Sequence, residues 1–246
     1  MIALSGLRFA YPGQDEILSG LDLKVAEGSL LVLVGANGTG KSTLLSLLAG
    51  LLTPTGGSLE AAGAVSPGQE ADLRARCGLL LQDADLQILG ATVGEDLRLG
   101  LDRRNPAAQD AARTMAQRLT LDALMDRPVQ ALSWGQKRRL CLAAVLLRAP
   151  RVLLFDEPMT GLDYPGIREM RALLKENKAA GLTQVVAAHD LEPLADICDA
   201  LAVLHGGTVA LHGPPEAVLS RMAGFDVRPP CSWRSSGTIT PWEGDG

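Results

Sequence analysis

Cysteine is sparse and unpatterned in this chain: Cys77, Cys141, Cys198 and Cys231 lie far apart, with no Cys-x-x-Cys and no nearby histidine pair. That argues against a zinc site or a disulfide framework and for reduced, mostly buried thiols. Long apolar runs are also missing. The longest, such as Leu30 to Val34 and Cys141 to Leu147, fall well short of the roughly 20 residues that cross a bilayer. The start, Met1 to Ser5, has neither a basic leader nor a long apolar stretch before a small-residue cleavage site, so a cytosolic, soluble protein is expected. Positive charge is in deficit too: the formal net charge is −5, which argues against a surface that coats nucleic acid. What the chain has is bulk, with 246 residues that are 47% hydrophobic. That is enough for one sizeable core, or for a core with a lobe inserted in it.

The most informative segment is Gly35-Ala36-Asn37-Gly38-Thr39-Gly40-Lys41-Ser42, which directly follows the apolar run Leu30 to Val34. A buried strand feeding a glycine-rich turn and then a helix (Lys41 to Leu52) aims backbone N–H groups and the positive helix end at one spot, where a polyphosphate fits. Lys41 is expected to reach the β- and γ-phosphates, and Ser42 to ligate Mg²⁺.

Around this loop the pattern is that of an α/β protein. Ile2, Leu4, Leu7, Phe9 and Tyr11 predict a strand ending at Pro12-Gly13, and Leu21 to Val25 a second. Short strands are expected near Ser58 to Ala62 and Cys77 to Gln82. From Thr92 to Leu147 the composition shifts to Ala, Leu, Arg and Gln. There Pro106 opens an amphipathic helix expected to turn Ala107, Ala111, Met115 and Leu119 to one side. From Arg151 strand and helix alternate: Val152 to Phe155, a helix opened by Pro165, Gln184 to Ala188, a helix from Leu191, then Ala200 to Leu204 and Thr208 to Leu211. This implies a mainly parallel sheet with covering helices. Val227 to Gly246, rich in proline, serine and glycine, is expected to be a flexible tail from which Trp233 or Trp242 could dock.

Two further stretches carry chemistry. Val152 to Phe155 ends in Asp156-Glu157, which places two carboxylates at the carboxyl edge of a central strand, where ligands sit in such sheets. Asp156 can hold Mg²⁺, and Glu157 can polarise a water for attack on the γ-phosphate. Ser133-Trp134-Gly135-Gln136 reads as a capped helix start and a second anion site. Because the phosphate loop is already a complete cradle, the phosphate at this second site should come from another subunit.

This stretch resembles the Leu-Ser-Gly-Gly-Gln signature of ATP-binding cassette (ABC) ATPases, and the resemblance covers nearly the whole chain. Gly35 to Ser42, with Thr43 beside it, is similar to the Walker A motif, and Asp156 with Glu157 to the Walker B motif and its catalytic glutamate. Tyr11 looks like the aromatic residue that stacks on adenine, and Gln82 like the Q-loop glutamine that touches Mg²⁺ and the attacking water. Gly161-Leu162-Asp163 looks like the D-loop, and His189 like the switch histidine. Trp134 departs from the pattern, standing where the family usually has a glycine. The resemblance implies a P-loop NTPase (RecA-like) parallel-sheet core with an antiparallel β subdomain, built from about residues 1–82 and 151–226. A helical subdomain of about residues 83–150 would be inserted in it. It also implies a head-to-tail homodimer or paralogous heterodimer holding ATP and Mg²⁺ between the Walker A loop of one chain and Ser133, Trp134, Gly135, Gln136 and Asp163 of the other.

The stretch Gln82 to Leu97 is similar to the corresponding region of energy-coupling-factor (ECF) ATPases, which drive uptake of vitamins, cobalt or nickel. That similarity implies a peripheral subunit on the cytoplasmic face of the membrane, seating a coupling helix of an integral transport subunit at about Gln82 to Leu89. Leu86, Ile88 and Leu89 would form the apolar seat, rimmed by Asp83, Asp85 and Gln87. Other possibilities are the ATPase of another ABC transporter and a non-transport ABC ATPase acting on nucleic acid or ribosomes. DNA-repair versions carry long coiled-coil arms, for which the 90 residues between Ser42 and Ser133 leave no room. Translation-factor versions carry two cassettes, whereas one set of motifs is present here. The transported substrate is not legible in these residues.

Overall fold

The computed structural model describes residues 1–102 and 104–242. In chain order its elements are β1 (Ile2–Ala10), β2 (Glu16–Val25), β3 (Leu30–Val34), α1 (Lys41–Leu48), β4 (Gly56–Ala61), β5 (Ala64–Ser66), α2 (Glu70–Arg76), β6 (Cys77–Leu80) and α3 (Val93–Leu97). There follow α4 (Pro106–Arg118), α5 (Trp134–Leu146), β7 (Val152–Asp156), α6 (Tyr164–Ala179), β8 (Thr183–Ala188), β9 (Ala200–His205), β10 (Thr208–Gly213), α7 (Pro215–Leu219) and α8 (Cys231–Ser236). No helix among the described residues is long and apolar enough to cross a membrane. The chain divides into two compact units, one of Met1–Leu79 with the residues from Arg151 onward, the other of Leu80–Pro150.

The first unit holds two sheets. Strands run in the order β10-β9-β3-β8-β7-β6 in one and β2-β1-β4-β5 in the other. β3 pairs in parallel with β8 and β9, and β7 in parallel with β8. β3, β7 and β8 are buried at every position, as expected of parallel strands covered on both faces. The second sheet is antiparallel. Leu44, Leu45, Leu47 and Leu48 of α1 share one core cluster with Leu31 and Leu33 of the parallel sheet and with Leu4, Leu7 and Leu18 of the antiparallel one. Burying each such leucine stabilises the fold by about 1.5–3 kcal/mol. The helix that leaves the phosphate loop is therefore fixed from both sides.

α1 stops at Leu48, four residues before the sequence-based end. Gly50 takes φ +67°, and the Leu51 N–H reaches back to the Ser46 carbonyl, so the helix closes in a glycine-terminated cap. The helix expected from Leu191 is instead a series of turns. The bonds that form, from Leu194 and Ala195 to Leu191 and from Ile197 and Cys198 to Leu194, do not join into a ladder, and the Pro193 carbonyl accepts from the Arg171 guanidinium instead. The stretch expected to be a flexible tail carries α8 and places Trp242 on Tyr164. Its residues 243–246 lie outside the described residues.

The second unit packs Val93 and Leu97 of α3, Ala116 of α4, and Leu140 and Ala143 of α5 around Leu121, Val129 and Leu132. The buried positions of α4 are Ala112 and Ala116, while Ala107 and Ala111 face solvent. Of the expected face, Met115 and Leu119 pack against this core, and Ala112 and Ala116 take the places expected of Ala107 and Ala111. Alanines on neighbouring stripes make the periodicity degenerate, and the choice falls to tertiary packing. Burial pushes the thiols of Cys77, Cys141 and Cys198 up to about 12, which keeps them protonated and unreactive.

Candidate functional site

The loop between β3 and α1 can be built only with glycine at two points. A Cβ on Gly35 would lie 2.4 Å from the Leu204 carbonyl oxygen and 2.8 Å from Thr39 Oγ1. Gly40, which precedes α1, has φ +96°, and a Cβ there would press on Ile17 and Leu18. The backbone therefore packs where no side chain fits, and the Thr39 N–H closes a turn onto the Ala36 carbonyl at 3.4 Å. Lys41 is buried, and its Nζ donates to the carbonyls of Gly35 at 2.8 Å and Ala36 at 3.1 Å. Burial lowers its pKa from the ordinary lysine value, and the nearby charges of Glu157 and Asp156 work in the opposite direction. The Ser42 side chain is exposed and Thr43 is buried. Tyr11 packs edge-on against Phe9, with 4.9 Å between ring centroids, and its hydroxyl lies 3.4 Å from Thr43 Oγ1. Beside the loop opens a cleft of about 720 Å³ bounded by Asp15, Glu16, Ile17, Asn37 and Gly206-Gly207. The sequence reading did not name its acidic wall or the Gly206-Gly207 floor; the glycine pair between two strands was their available signal.

Asp156 ends β7 and is buried. Glu157 follows with φ +50°, a left-handed conformation that costs a non-glycine residue on the order of 1–3 kcal/mol. The Glu157 N–H is held by the Ala187 carbonyl of β8 at 3.0 Å. Its Oε2 lies 2.6 Å from His189 Nδ1 and 3.4 Å from Thr160 Oγ1. A cavity of about 240 Å³ adjoins this pair, bounded by Thr160, Gly161, Asp190 and Pro193. Asp163 caps α6 by accepting from the Gly166 N–H at 3.0 Å. The loop Gly35 to Ser42, Tyr11, Asp156, Glu157, Asp163 and His189 all belong to the first unit.

Gln82 and Ser133 to Gln136 belong to the second unit. The Gln82 carbonyl accepts from Arg138 at 3.4 Å. Ser133 and Gln136 form a reciprocal capping box, the Gln136 N–H donating to Ser133 Oγ at 3.3 Å and the Ser133 N–H to Gln136 Oε1 at 2.9 Å. Trp134 starts α5 with its ring 40% exposed and stacked under the Arg138 guanidinium, 5.0 Å from the centroid. Nothing crowds the Cα of Gly135. Before α3, Leu86 and Leu89 are 74% and 82% exposed, whereas Ile88 packs against the core of its own unit. The exposed apolar surface of this stretch thus consists of two leucines, because Ile88 is drawn inward. Its loop is held firmly: Asp96, itself buried, accepts from the N–H groups of Leu89 and Gly90 at 2.8 and 2.9 Å.

A parallel sheet that feeds a glycine loop and then a helix, with acids at the end of β7 one strand further across the sheet, defines a P-loop nucleotide-binding protein of the α/β class. The family model described as ABC transporter matches residues 18–160. The chain is 40% identical over 241 residues to the "Cobalt import ATP-binding protein CbiO" of Rhodobacter capsulatus, across 94% of this chain and 85% of that protein. It is 36% identical over 229 residues to the "Energy-coupling factor transporter ATP-binding protein EcfA2" of Symbiobacterium thermophilum, across 90% and 78%. Among solved structures, cbiO1 from Clostridium perfringens, part of the ABC transporter complex cbiONQ, superposes with a TM-score of 0.78 at 31% identity, covering 90% of this chain and 91% of that one. The chain belongs to the ABC transporter family of ATP-binding subunits, which bind ATP and couple its hydrolysis to transport.

Proposed function

We propose that this protein is the ATPase of an ECF-type importer for a vitamin or transition-metal ion, working on the cytoplasmic face of the membrane by ATP-driven head-to-tail dimerisation. The observation that carries the reading is the placement of Lys41, Asp156 and the Glu157–His189 pair in one unit, at the carboxyl edge of a parallel sheet. Lys41 exchanges the Gly35 and Ala36 carbonyls for the β- and γ-phosphates, and the loop N–H groups of Gly35 to Thr43 cradle them. Ser42 and Asp156 would supply oxygen ligands that suit Mg²⁺, which would neutralise phosphate charge there. Tyr11 stacks on the base. Ser133, Trp134, Gly135, Gln136 and Asp163 of the second subunit close the site, with the positive N-terminal end of α5 facing the γ-phosphate. Glu157 orients the attacking water. Its short contact with His189 holds the carboxylate back until the histidine turns to the γ-phosphate, which then frees Glu157 for its water.

The dimer requirement is tested with the purified chain alone. Phosphate release without any acceptor should rise close to the square of protein concentration at low occupancy of the dimer, since each site needs two chains. A strictly linear dependence would show a self-sufficient subunit and sink the composite site. The docking part of the reading rests on Leu86 and Leu89, exposed on a stiffened loop beside Asp83 and Asp85. A basic, amphipathic helix of an integral transport subunit fits that surface. Changing both leucines to Ser should leave the ATPase of the isolated chain within about twofold, as solvent-exposed substitutions do. Co-purification with the membrane partner should be lost. Retained co-purification places the seat elsewhere.

A further inference from the structure

Arg171, midway along α6, is 2% exposed and the bulkiest of the wholly buried side chains among the described residues. Its guanidinium makes a two-pronged ion pair with Asp196, both contacts at 2.7 Å, and also donates to the Pro193 carbonyl. Burial would raise the Asp196 pKa, but the Arg171 hydrogen bonds, the Trp242 N–H and the Arg171 charge outweigh it and hold the carboxyl below its ordinary value. Trp242 roofs this pair. Its ring lies 5.1 Å from the guanidinium and stacks on Tyr164 at 5.0 Å and 29°, while its backbone N–H donates to Asp196 Oδ2 at 3.2 Å. A second anchor lies upstream, where the Cys231 N–H donates to Glu192 Oε2 at 2.7 Å. The Glu192 N–H is in turn held by Asp190 Oδ1 at 3.0 Å.

These contacts join two places that matter for hydrolysis. The turns gripped at Glu192 and Asp196 begin directly after His189, and Tyr164 begins α6 directly after Asp163. The 191–198 segment has no regular helix to stiffen it. Leu191, Leu194, Ala195, Ile197 and Cys198 anchor it in the core and Lys178 Nζ holds the Ile197 carbonyl at 3.1 Å, so the contacts at Glu192 and Asp196 set its outward, half-buried side. A charged pair shielded from water by an indole is a directional tie, stronger than the same pair in solvent.

We propose that residues 230–242 form a strap that fixes the His189 turn against the start of α6, and that Trp242 is a positioning residue for ATP hydrolysis. The strap acts through His189 and Glu157 and touches neither the phosphate loop nor the cleft beside it. The proposal rests on the assignment of Glu157 and His189 given above.

The test uses the full chain in four forms: wild type, Trp242→Ala, Trp242→Phe and Glu157→Gln. Trp242→Ala should lower kcat for ATP about fivefold while KM stays within twofold, because misplacement by a fraction of an ångström costs turnover and leaves the phosphate loop intact. Trp242→Phe, which keeps an aromatic roof, should recover most of that loss. Hydrogen exchange should quicken in peptides covering 189–198 of Trp242→Ala and stay unchanged in those covering 30–48. If kcat of Trp242→Ala stays within twofold of wild type, or if KM and the 30–48 peptides change as much as kcat, the strap has no positioning role. Glu157→Gln separates the two readings: should it hydrolyse ATP at the wild-type rate, the site assignment fails, whereas loss of its activity beside an unaffected Trp242→Ala overturns the strap alone.

Discussion

Glu157→Gln should bind ATP with wild-type affinity, hydrolyse it on the order of 10²–10⁴-fold more slowly, and accumulate as a dimer in size-exclusion runs with ATP. The substitution is nearly isosteric. It keeps the Cβ at φ +50° and the N–H bond to Ala187, so strand β7 and the turn after it have no reason to move. The amide can still meet His189 and Thr160, now as a neutral partner. What disappears is the only property the water-activating role needs, a carboxylate that attracts a proton from the attacking water. Binding depends instead on the loop N–H groups and Lys41, which the change leaves in place. With closure intact and cleavage blocked, the closed dimer is the species that collects. Melting without nucleotide within about 2 °C of wild type would show that the fold is unaltered. Hydrolysis at the wild-type rate would remove Glu157 from the mechanism.

His189 supplies the complementary variant. Its alanine form removes the group proposed to turn to the γ-phosphate and leaves the Glu157 carboxylate in its pocket, so activity should fall while nucleotide binding persists. A histidine that served only to cap the turns after it could not produce that split, since Asp190 already accepts the Glu192 N–H.

The phosphate loop and the strands around it were legible because their physics is local. Apolar residues at every position of β3 require burial on both faces, and glycine at 35 and 40 is dictated by atoms that leave no room for a Cβ. The capping box at Ser133 and Gln136 is likewise written within four residues. Legibility fails where contacts span the chain. Arg171 carries no signal of its own in the sequence, yet it is buried because Asp196 and Trp242 converge on it from 25 and 71 residues away. Trp242 is named from the sequence as able to dock, but the same distance hides where it does so, on Tyr164 and Arg171. Nor does composition announce the backbone of Glu157, where an acidic residue adopts a conformation usually left to glycine and asparagine. Trp134 is a local departure with a local resolution: its ring lies against Arg138 one turn further along α5, which leaves the capped N–H groups of that helix unobstructed on its own chain.

Lys41→Ala should abolish the stabilisation that ATP confers while leaving the unliganded protein at least as stable as wild type. The sign follows from the surroundings of the ammonium. Burial lowers its pKa on folding, so the fold disfavours the charged form. That unfavourable contribution is fully present below the folded pKa and fades as pH rises through it toward the ordinary lysine value. At neutral pH the lysine therefore costs the empty protein stability, offset in part by its bonds to Gly35 and Ala36 and by the charges of Glu157 and Asp156. A polyphosphate reverses the balance by giving the buried charge a partner. For the wild type, ATP at a hundred times Kd should contribute about 2.7 kcal/mol, or roughly 5–10 °C in Tm for a chain of this size. Alanine removes the cost and the benefit together. Its melting temperature without nucleotide should be unchanged or slightly raised, and the ATP-dependent rise should vanish at concentrations that saturate the wild type. An ATP-dependent rise that survives intact would show that the loop N–H groups alone hold the phosphates and that Lys41 serves its own loop. A large drop in stability without nucleotide would mean that its bonds to the Gly35 and Ala36 carbonyls outweigh the cost of burying the charge.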